Sequence, residues 1–208
     1  IITYVIDINI DAPAMEYADY KYQMSIKDKE GVLKIAKEIM PDGVTVGMVD
    51  VAVPTCAYIN QELNLNGLDV VTAINATNKH EMIKCFKKFN VPCPNYCYVS
   101  CNELNEIKDC NLDFPLIIKP IDMAGSRGIY LVNNHDDFLK ALKESSEISD
   151  TGNLLIEEYM EGPEVSVEIV VSDGNPNVIQ ITDKSTSGPP HFAETGHLQP
   201  SRLPADVK

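Results

Sequence analysis

Apolar and polar positions alternate with two different periods along the first hundred residues. Apolar side chains recur at every second position over residues 2–10, which predicts a strand, and every three or four positions over residues 28–40, which predicts a helix. The same patterns predict further strands at residues 44–49 and 67–73 and further helices at residues 55–63 and 78–89. Strands that alternate with helices predict an α/β fold with a parallel, doubly wound, Rossmann-like sheet.

Short apolar runs predict strands in the second half of the chain as well. Residues 116–118 are rich in β-branched side chains, and Lys119 and Pro120 follow them directly. Because proline cannot donate a ladder hydrogen bond, we expect pairing to stop after Lys119, which puts this lysine at a rigid strand end. Two later strands are predicted at residues 154–156 and 165–171, and a helix at residues 136–147 with Asp136 as its N-cap.

A loop of small residues follows Lys119. Gly125 and Gly128 tolerate positive φ, and such a loop can turn successive backbone N–H groups inward to hold an anion. Lys119 and Arg127 would add positive charge, so we interpret Lys119 and the loop residues Gly125, Ser126, Arg127 and Gly128 as a polyphosphate-binding site. An ordinary hairpin turn is the alternative, and the loop alone does not decide between them.

A second signal lies downstream, where acidic and aromatic residues join two predicted strands. Glu157, Glu158, Tyr159 and Met160 precede a Gly-Pro turn and then Glu164, in the pattern of a linker between two lobes. A solvated acidic turn is the alternative.

Together, these motifs resemble the ATP-grasp superfamily, specifically the carboxylate–amine ligases akin to the carbamoyl phosphate synthase large subunit and the purine-pathway ligases such as phosphoribosylglycinamide synthetase. The resemblance covers nearly the whole chain and implies a Rossmann-like domain followed by an incomplete α+β ATP-grasp domain. The implied parts are a Rossmann-like domain at residues 1–99, a lid at 100–161 and the start of a central lobe at 162–208. It also implies that the natural protein continues beyond both ends.

The resemblance further implies roles for individual residues. Lys79 looks like a second ATP-contacting lysine beside Lys119, with a solvated helix lysine as the alternative. Residues 157–160 are candidates for adenine recognition: Glu158 would take the exocyclic amine, and Tyr159 and Met160 would offer main-chain contacts. Glu164 would accept the ribose hydroxyls.

Two histidines and a glutamate lie close together near the end of the chain. The resemblance puts this segment beside the acceptor pocket, so His191, Glu194 and His197 are candidate catalytic residues. A strand flanked by turns, with His197 bonded to neighbouring backbone, is the alternative. Zinc is disfavoured, because one carboxylate and two imidazoles gather without a nearby cysteine.

The implied reaction consumes ATP. A carboxylate would attack the γ-phosphate to give an acyl phosphate, and an amine, ammonia or a thiol would then displace phosphate. The resemblance implies Mg²⁺ as well, with ligands expected beyond residue 208. Two alternatives differ in class: an ATP-binding or regulatory module without the metal-binding half, and an NAD-type Rossmann protein. The last is disfavoured, because no Gly-x-Gly-x-x-Gly follows a strand.

Charge and cysteine content limit the partners. With 17 basic and 31 acidic residues the net charge is -14, so nucleic acid is not an expected partner. No apolar run approaches the roughly 18 residues of a membrane span. The six cysteines lack metal-site spacing, and we expect reduced thiols in the cytoplasm. The expected partners are therefore ATP and small-molecule carboxylate and amine substrates, with a homodimer left open.

Overall fold

The computed structural model describes residues 1–104, 107, 110–172, 174–189 and 192–207. The chain divides into two compact units, Ile1–Pro92 and Cys93–Lys208. In the described residues no helix has the length and apolar character needed to cross a membrane. The finer division of the second half into a lid and a central lobe stays a prediction.

The first unit combines a two-stranded parallel sheet with five α-helices. Its elements are β1 (Tyr4–Asp7), α1 (Pro13–Glu16), β2 (Tyr20–Gln23), α2 (Lys29–Ile39), α3 (Val53–Glu62), α4 (Val70–Thr77) and α5 (Lys79–Lys88), with a 3₁₀ turn at Asp50–Ala52. β1 and β2 pair in parallel. The helices predicted at residues 28–40, 55–63 and 78–89 are confirmed as α2, α3 and α5.

Side-chain caps and buried faces explain where these helices begin. The Asp28 carboxylate accepts a hydrogen bond from the Gly31 N–H at 3.0 Å, and Asn78 accepts from the first N–H groups of α5. The buried face of α2, which includes Leu33, packs with Ile59 of α3 in one apolar cluster. Local capping and one apolar stripe therefore fix these helices.

Two predicted strands in the first unit are wrong. Residues 67–73 lead into helix α4, which begins after Asp69 because its carboxylate accepts the Thr72 N–H at 2.9 Å. A short apolar run fits either element, and the cap decides it. Residues 44–49 form no strand, and the Val44 carbonyl accepts side-chain hydrogen bonds from Cys56 and Asn60 instead of a ladder bond. The parallel sheet of this unit therefore has two strands.

The second unit contains two antiparallel sheets in its described residues. Its elements are β3 (Tyr96–Val99), β4 (Leu116–Pro120), β5 (Tyr130–Val132), α6 (His135–Ile148), β6 (Leu154–Glu158), β7 (Glu164–Ser172), β8 (Asn175–Thr186) and β9 (Glu194–Leu198). The four-stranded sheet has the order β3-β6-β4-β5, and the three-stranded sheet has the order β7-β8-β9. The overall fold class is thus mixed α/β, as the sequence predicts.

Helix α6 covers one face of the four-stranded sheet. The helix begins after Asn134, whose side-chain oxygen accepts the Asp137 N–H at 3.0 Å. The predicted cap at Asp136 is therefore wrong by two positions, because the asparagine already supplies the acceptor. The buried cluster beneath the helix consists of Val99, Leu116, Ile118, Val132, Phe138, Ala141, Leu142, Leu154 and Ile156.

Strand β4 extends one residue further than predicted. Pro120 is its last residue and lies opposite Leu154 of β6. A proline lacks only the N–H, so it can still occupy the final position of a ladder. Lys119 therefore lies inside the strand, between Ile118 and Pro120, which both pair with β6.

Candidate functional site

The face of the four-stranded sheet that does not pack on α6 carries two opposite charges. Ile117 lies opposite Glu157, and Lys119 lies opposite Leu155. Residues opposite each other in an antiparallel pair share a face, and so do residues two apart in one strand. Lys119 and Glu157 are therefore diagonal neighbours on the same face.

Lys119 and Glu157 form a partly buried ion pair. The Lys119 Nζ lies 2.5 Å from the Glu157 Oε2, and their side chains are 20% and 11% exposed. An ammonium donates three hydrogen bonds, so Lys119 keeps donor capacity for a second anion. Sequence reasoning found both residues but not that they contact each other.

The glycine loop between β4 and β5 is fixed at its end near β5. Gly128 adopts φ +73°, and a Cβ there would come within 2.8 Å of the Pro120 side chain. The Ser145 hydroxyl, which belongs to a fully buried residue of α6, donates to the Gly128 carbonyl at 2.8 Å. This position therefore requires glycine both for its backbone conformation and for space.

The loop is also anchored where it leaves β4. The Asp122 carboxylate accepts hydrogen bonds from the Ser149 hydroxyl at 2.9 Å and from the Thr151 N–H at 2.9 Å. Within the loop, the Arg127 Nε donates to the Ala124 carbonyl at 3.2 Å. Both ends of the loop are thus held by α6 and the turn after it, which organises its backbone in advance of any ligand.

Phe192 connects the tip of the glycine loop with the segment after β6. The Ser126 hydroxyl donates to the Phe192 carbonyl at 2.9 Å, and the Phe192 ring lies 6.3 Å from the Tyr159 ring. Both Ser126 and Phe192 have positive φ although neither is glycine. Phe192 was not among the predicted site residues, and no local sequence signal identifies it.

Glu158 faces the opposite way from Glu157, because consecutive residues of a strand alternate between faces. Its carboxylate accepts hydrogen bonds from the Asn95 N–H at 3.0 Å and the Asn95 Nδ2 at 2.8 Å. These bonds lower the pKa of Glu158, the side-chain bond from Asn95 being the largest cause. The next amide, the Tyr159 N–H, donates to the Pro115 carbonyl at 3.1 Å, and Met160 is exposed.

The three-stranded sheet brings Glu164, Glu194 and His197 together around Lys184. The Lys184 Nζ lies 2.9 Å from Glu194 and 3.5 Å from Glu164, and the His197 Nε2 lies 3.7 Å from Glu194. The hydrogen bond with Glu194 is the main cause that raises the pKa of Lys184, and the same bond lowers the pKa of Glu194. Lys184 was not predicted as a site residue, although pairing opposite both Glu164 and His197 puts it on their face.

Two remaining candidates lie elsewhere. Lys79 is the first residue of α5 in the first unit, directly after the N-cap Asn78. His191 lies outside the described residues. The structure therefore groups Lys119, Glu157, the glycine loop and Tyr159 in the second unit, with Glu164, Glu194 and His197 on the other sheet of that unit.

The described part of the chain offers no complete metal site. Within it, no group of three or more His, Cys, Asp or Glu side chains could hold a metal ion. None of the six cysteines forms a disulfide bond. The described residues therefore do not form a ligand set for Mg²⁺.

The described residues of the second unit thus combine a lysine inside a sheet, a glycine loop anchored at both ends and an acidic segment that leads to a second antiparallel sheet. Residues 112–208 match the family model described as an ATP-grasp domain. The resemblance seen in the sequence is thereby confirmed for residues 112–208.

Comparison with known proteins gives more distant likenesses. The formate-dependent phosphoribosylglycinamide formyltransferase of Prochlorococcus marinus (strain MIT 9515) is 27% identical over 162 residues, which cover 74% of this chain and 40% of that protein. The alanine–anticapsin ligase of Bacillus subtilis (strain 168) is 26% identical over 201 residues, covering 86% of this chain and 42% of that protein. The chain thus spans less than half the length of these curated relatives.

Among solved structures, an L-amino acid ligase from Bacillus licheniformis has the same fold, with a TM-score of 0.77 and 22% identity. The match covers 91% of this chain and 45% of that chain. At this identity the likeness concerns the fold, and it extends over residues of both units.

Proposed function

We propose that the protein is an ATP-dependent ligase that joins a small-molecule carboxylate to an amine through an acyl phosphate. The observation that carries the proposal is Lys119, a partly buried cation on the face of the sheet opposite α6, with a glycine loop anchored at both ends after its strand. The ATP-grasp match over residues 112–208 supports the same reading. The names of the two curated relatives, a formyltransferase and a ligase, agree with it.

The phosphate side of ATP would bind between Lys119 and the loop. Lys119 already pairs with Glu157, so a phosphate oxygen would share the ammonium with that carboxylate. Gly125, Ser126 and Gly128, all at positive φ, would turn backbone N–H groups toward the anion. Arg127 would supply a second charge once its bond to the Ala124 carbonyl is released.

The base and the ribose would bind along the segment after β6. Tyr159 and Met160 would offer main-chain contacts to adenine, and Glu164 would accept the ribose hydroxyls. Glu164 lies 3.5 Å from Lys184, which keeps a cation close to the proposed ribose position. Lys79 remains a proposed ATP contact from the first unit.

The chemistry would proceed in two balanced steps. A carboxylate oxygen forms a bond to the γ-phosphorus while the bond from that phosphorus to ADP breaks, giving an acyl phosphate. The amine nitrogen then bonds to the acyl carbon, the bond between that carbon and the phosphate oxygen breaks to release inorganic phosphate, and the amine loses a proton. Phosphoryl transfer depends mainly on positioning and charge neutralisation, which the lysines and loop amides would supply. His191, Glu194 and His197 would line the acceptor side.

Mg²⁺ belongs to the proposal as the ion that would accompany ATP. A cytoplasmic location, a homodimer, the absence of nucleic-acid and membrane partners, and the closer kinship with carbamoyl phosphate synthase stay predictions.

The proposal is tested by a phosphate-release assay on the full-length protein with ATP, Mg²⁺ and pools of amino acids, small carboxylates and bicarbonate. We expect release that depends on both a carboxylate and an amine, and loss of release in Lys119→Ala. Tight ATP binding without release in any pool would favour an ATP-binding or regulatory module instead. Failure to bind ATP at all would overturn both functions.

The proposed role of His197 is tested by a separate substitution. We expect His197→Ala to lower turnover by at least about tenfold while ATP affinity stays unchanged, because His197 would contact the acceptor and not the nucleotide. The control is His135→Ala at the start of α6, which should leave turnover unchanged. An equal loss of ATP affinity in His197→Ala would contradict the acceptor-side role.

A further inference from the structure

We propose that Asn95 is a positioning residue that fixes the adenine-binding segment after β6 through Glu158. This inference rests on the proposed function and assigns a role to a residue that sequence reasoning did not single out. It also changes the expected role of Glu158, from a direct contact with the base to the group through which Asn95 acts.

The contact between the two residues is reciprocal. The Asn95 N–H and Nδ2 donate to the two carboxylate oxygens of Glu158 at 3.0 and 2.8 Å. In the other direction, the Glu158 N–H donates to the Asn95 carbonyl at 3.1 Å. Three hydrogen bonds between two residues 63 positions apart leave little freedom for either backbone.

The contact between Asn95 and Glu158 lies where the chain leaves β6 and enters the segment proposed to bind adenine. Asn95 directly precedes the edge strand β3, and Glu158 is the last residue of β6. The following Tyr159 N–H is bonded to the Pro115 carbonyl at 3.1 Å. Two successive amides at the exit of β6 are therefore held by fixed partners, which sets the direction in which Tyr159 and Met160 leave the sheet.

Asn95 fixes the orientation of the Glu158 carboxylate in this arrangement. Both carboxylate oxygens accept from Asn95, whereas Glu157 on the opposite face pairs with Lys119. Main-chain groups offered to adenine gain affinity when they are organised before binding, because less ordering is then needed on association. Asn95 would contribute that organisation without touching the nucleotide.

An exchange of the two side-chain types gives a sharp test. Asn95→Asp sets two carboxylates against each other, and Glu158→Gln removes one of the two acceptors. In the double variant Asn95→Asp/Glu158→Gln, the new glutamine can donate to the new aspartate and accept from its N–H, so the pair is restored with its polarity reversed. The matched control is Asn177→Asp, at an exposed asparagine of β8.

Binding of ATP, adenosine and tripolyphosphate to the full chain is measured by calorimetry, with thermal melting to establish that each variant is folded. We expect Asn95→Asp to lower the affinity for ATP and for adenosine by about tenfold, since the hydrogen bonds between Asn95 and the charged Glu158 are lost. Tripolyphosphate affinity should stay within about twofold, because Lys119 and the glycine loop are untouched. The double variant should recover adenosine affinity to within about threefold.

The outcomes separate this inference from the proposed function. Suppose that the wild-type protein binds ATP. An equal loss of affinity for all three ligands in Asn95→Asp, or no loss of affinity for adenosine, would then overturn the positioning role. Failure of the double variant to recover adenosine affinity would overturn it too. If the wild-type protein binds neither ATP nor adenosine, the proposed function fails and this inference fails with it.

Discussion

Lys119 and Lys184 lie on the two sheets of the second unit, and each pairs with glutamate in a different environment. Lys119 pairs with Glu157, whose side chain is 11% exposed. Lys184 pairs with Glu164 and Glu194, and the side chains of both are 51% exposed. Burial of the partner therefore decides how much each ion pair contributes to stability. Glu157 depends on Lys119 for compensation of its charge, whereas water can solvate the glutamates around Lys184.

The backbone near each lysine shows the same contrast. The loop after Lys119 contains Gly128, which packs against Pro120 and receives a hydrogen bond from buried Ser145. Strand β9 beside Lys184 contains Gly196, where a Cβ would meet nothing within 4 Å. The first region is built for a fixed geometry, and the second tolerates change.

The largest effect is expected for Lys119→Ala. Removing the lysine leaves Glu157 partly buried without its partner, so we expect a loss of about 2 to 4 kcal/mol in the free energy of unfolding. ATP affinity should fall by roughly tenfold or more, because a charge-assisted phosphate contact is lost. Denaturant titration and calorimetry measure the two effects.

A double substitution separates stability from binding at this site. Lys119→Met combined with Glu157→Leu replaces the ion pair by apolar side chains, which should recover most of the lost stability but no ATP affinity. ATP binding at the wild-type level in this double variant would contradict the phosphate role of Lys119.

An intermediate effect is expected for the glycine of the loop. Gly128→Ala forces a Cβ to within 2.8 Å of Pro120 at a backbone φ of +73°, so we expect a loss of about 1 to 3 kcal/mol in the free energy of unfolding. The matched change Gly196→Ala should alter this free energy by less than about 1 kcal/mol. Equal effects in the two variants would remove the contrast between the regions.

The smallest effect is expected for Lys184→Ala, whose loss of stability should be roughly a third or less of that for Lys119→Ala. The effect should shrink further when salt is raised from 0.05 to about 0.5 M, because the partner glutamates are exposed. Chemical unfolding at the two salt concentrations measures it. An effect as large as that of Lys119→Ala would show that exposure of the partner does not decide the strength of the pair.

The pH dependence of this pair follows from the direction of two pKa shifts. Lys184 holds the pKa of Glu194 below its ordinary value. The contribution of ionised Glu194 to the free energy of unfolding is therefore complete above about pH 4.3, and it disappears as the pH falls through the lowered pKa. Glu194 raises the pKa of Lys184. The contribution of protonated Lys184 to the free energy of unfolding is therefore complete below about pH 10.4, and it disappears as the pH rises through the raised pKa. The effect of Lys184→Ala should therefore be constant between these limits.

Several features of this protein follow from the sequence alone. The helices α2 and α5 are predicted correctly because their apolar spacing and their caps, Asp28 and Asn78, are local. The strand that carries Lys119 and the loop after it are also predicted, because a β-branched run next to Gly125 and Gly128 is a short-range pattern. The order of such motifs was sufficient to identify the ATP-grasp resemblance.

Other features were decided by tertiary structure. The run at residues 44–49 reads as a strand, yet the Val44 carbonyl accepts hydrogen bonds from side chains of α3 instead of a neighbouring strand. Glu157 and Glu158 are adjacent in sequence, but strand alternation and register assign one to Lys119 and the other to Asn95.

The physical reason is the range of the interactions involved. Periodicity, capping and glycine conformations depend on residues within a few positions of one another, and the sequence determined them directly. The partners of Lys119, Glu158 and Ser126 are 38, 63 and 66 residues away, and only the folding of the chain brings them into contact.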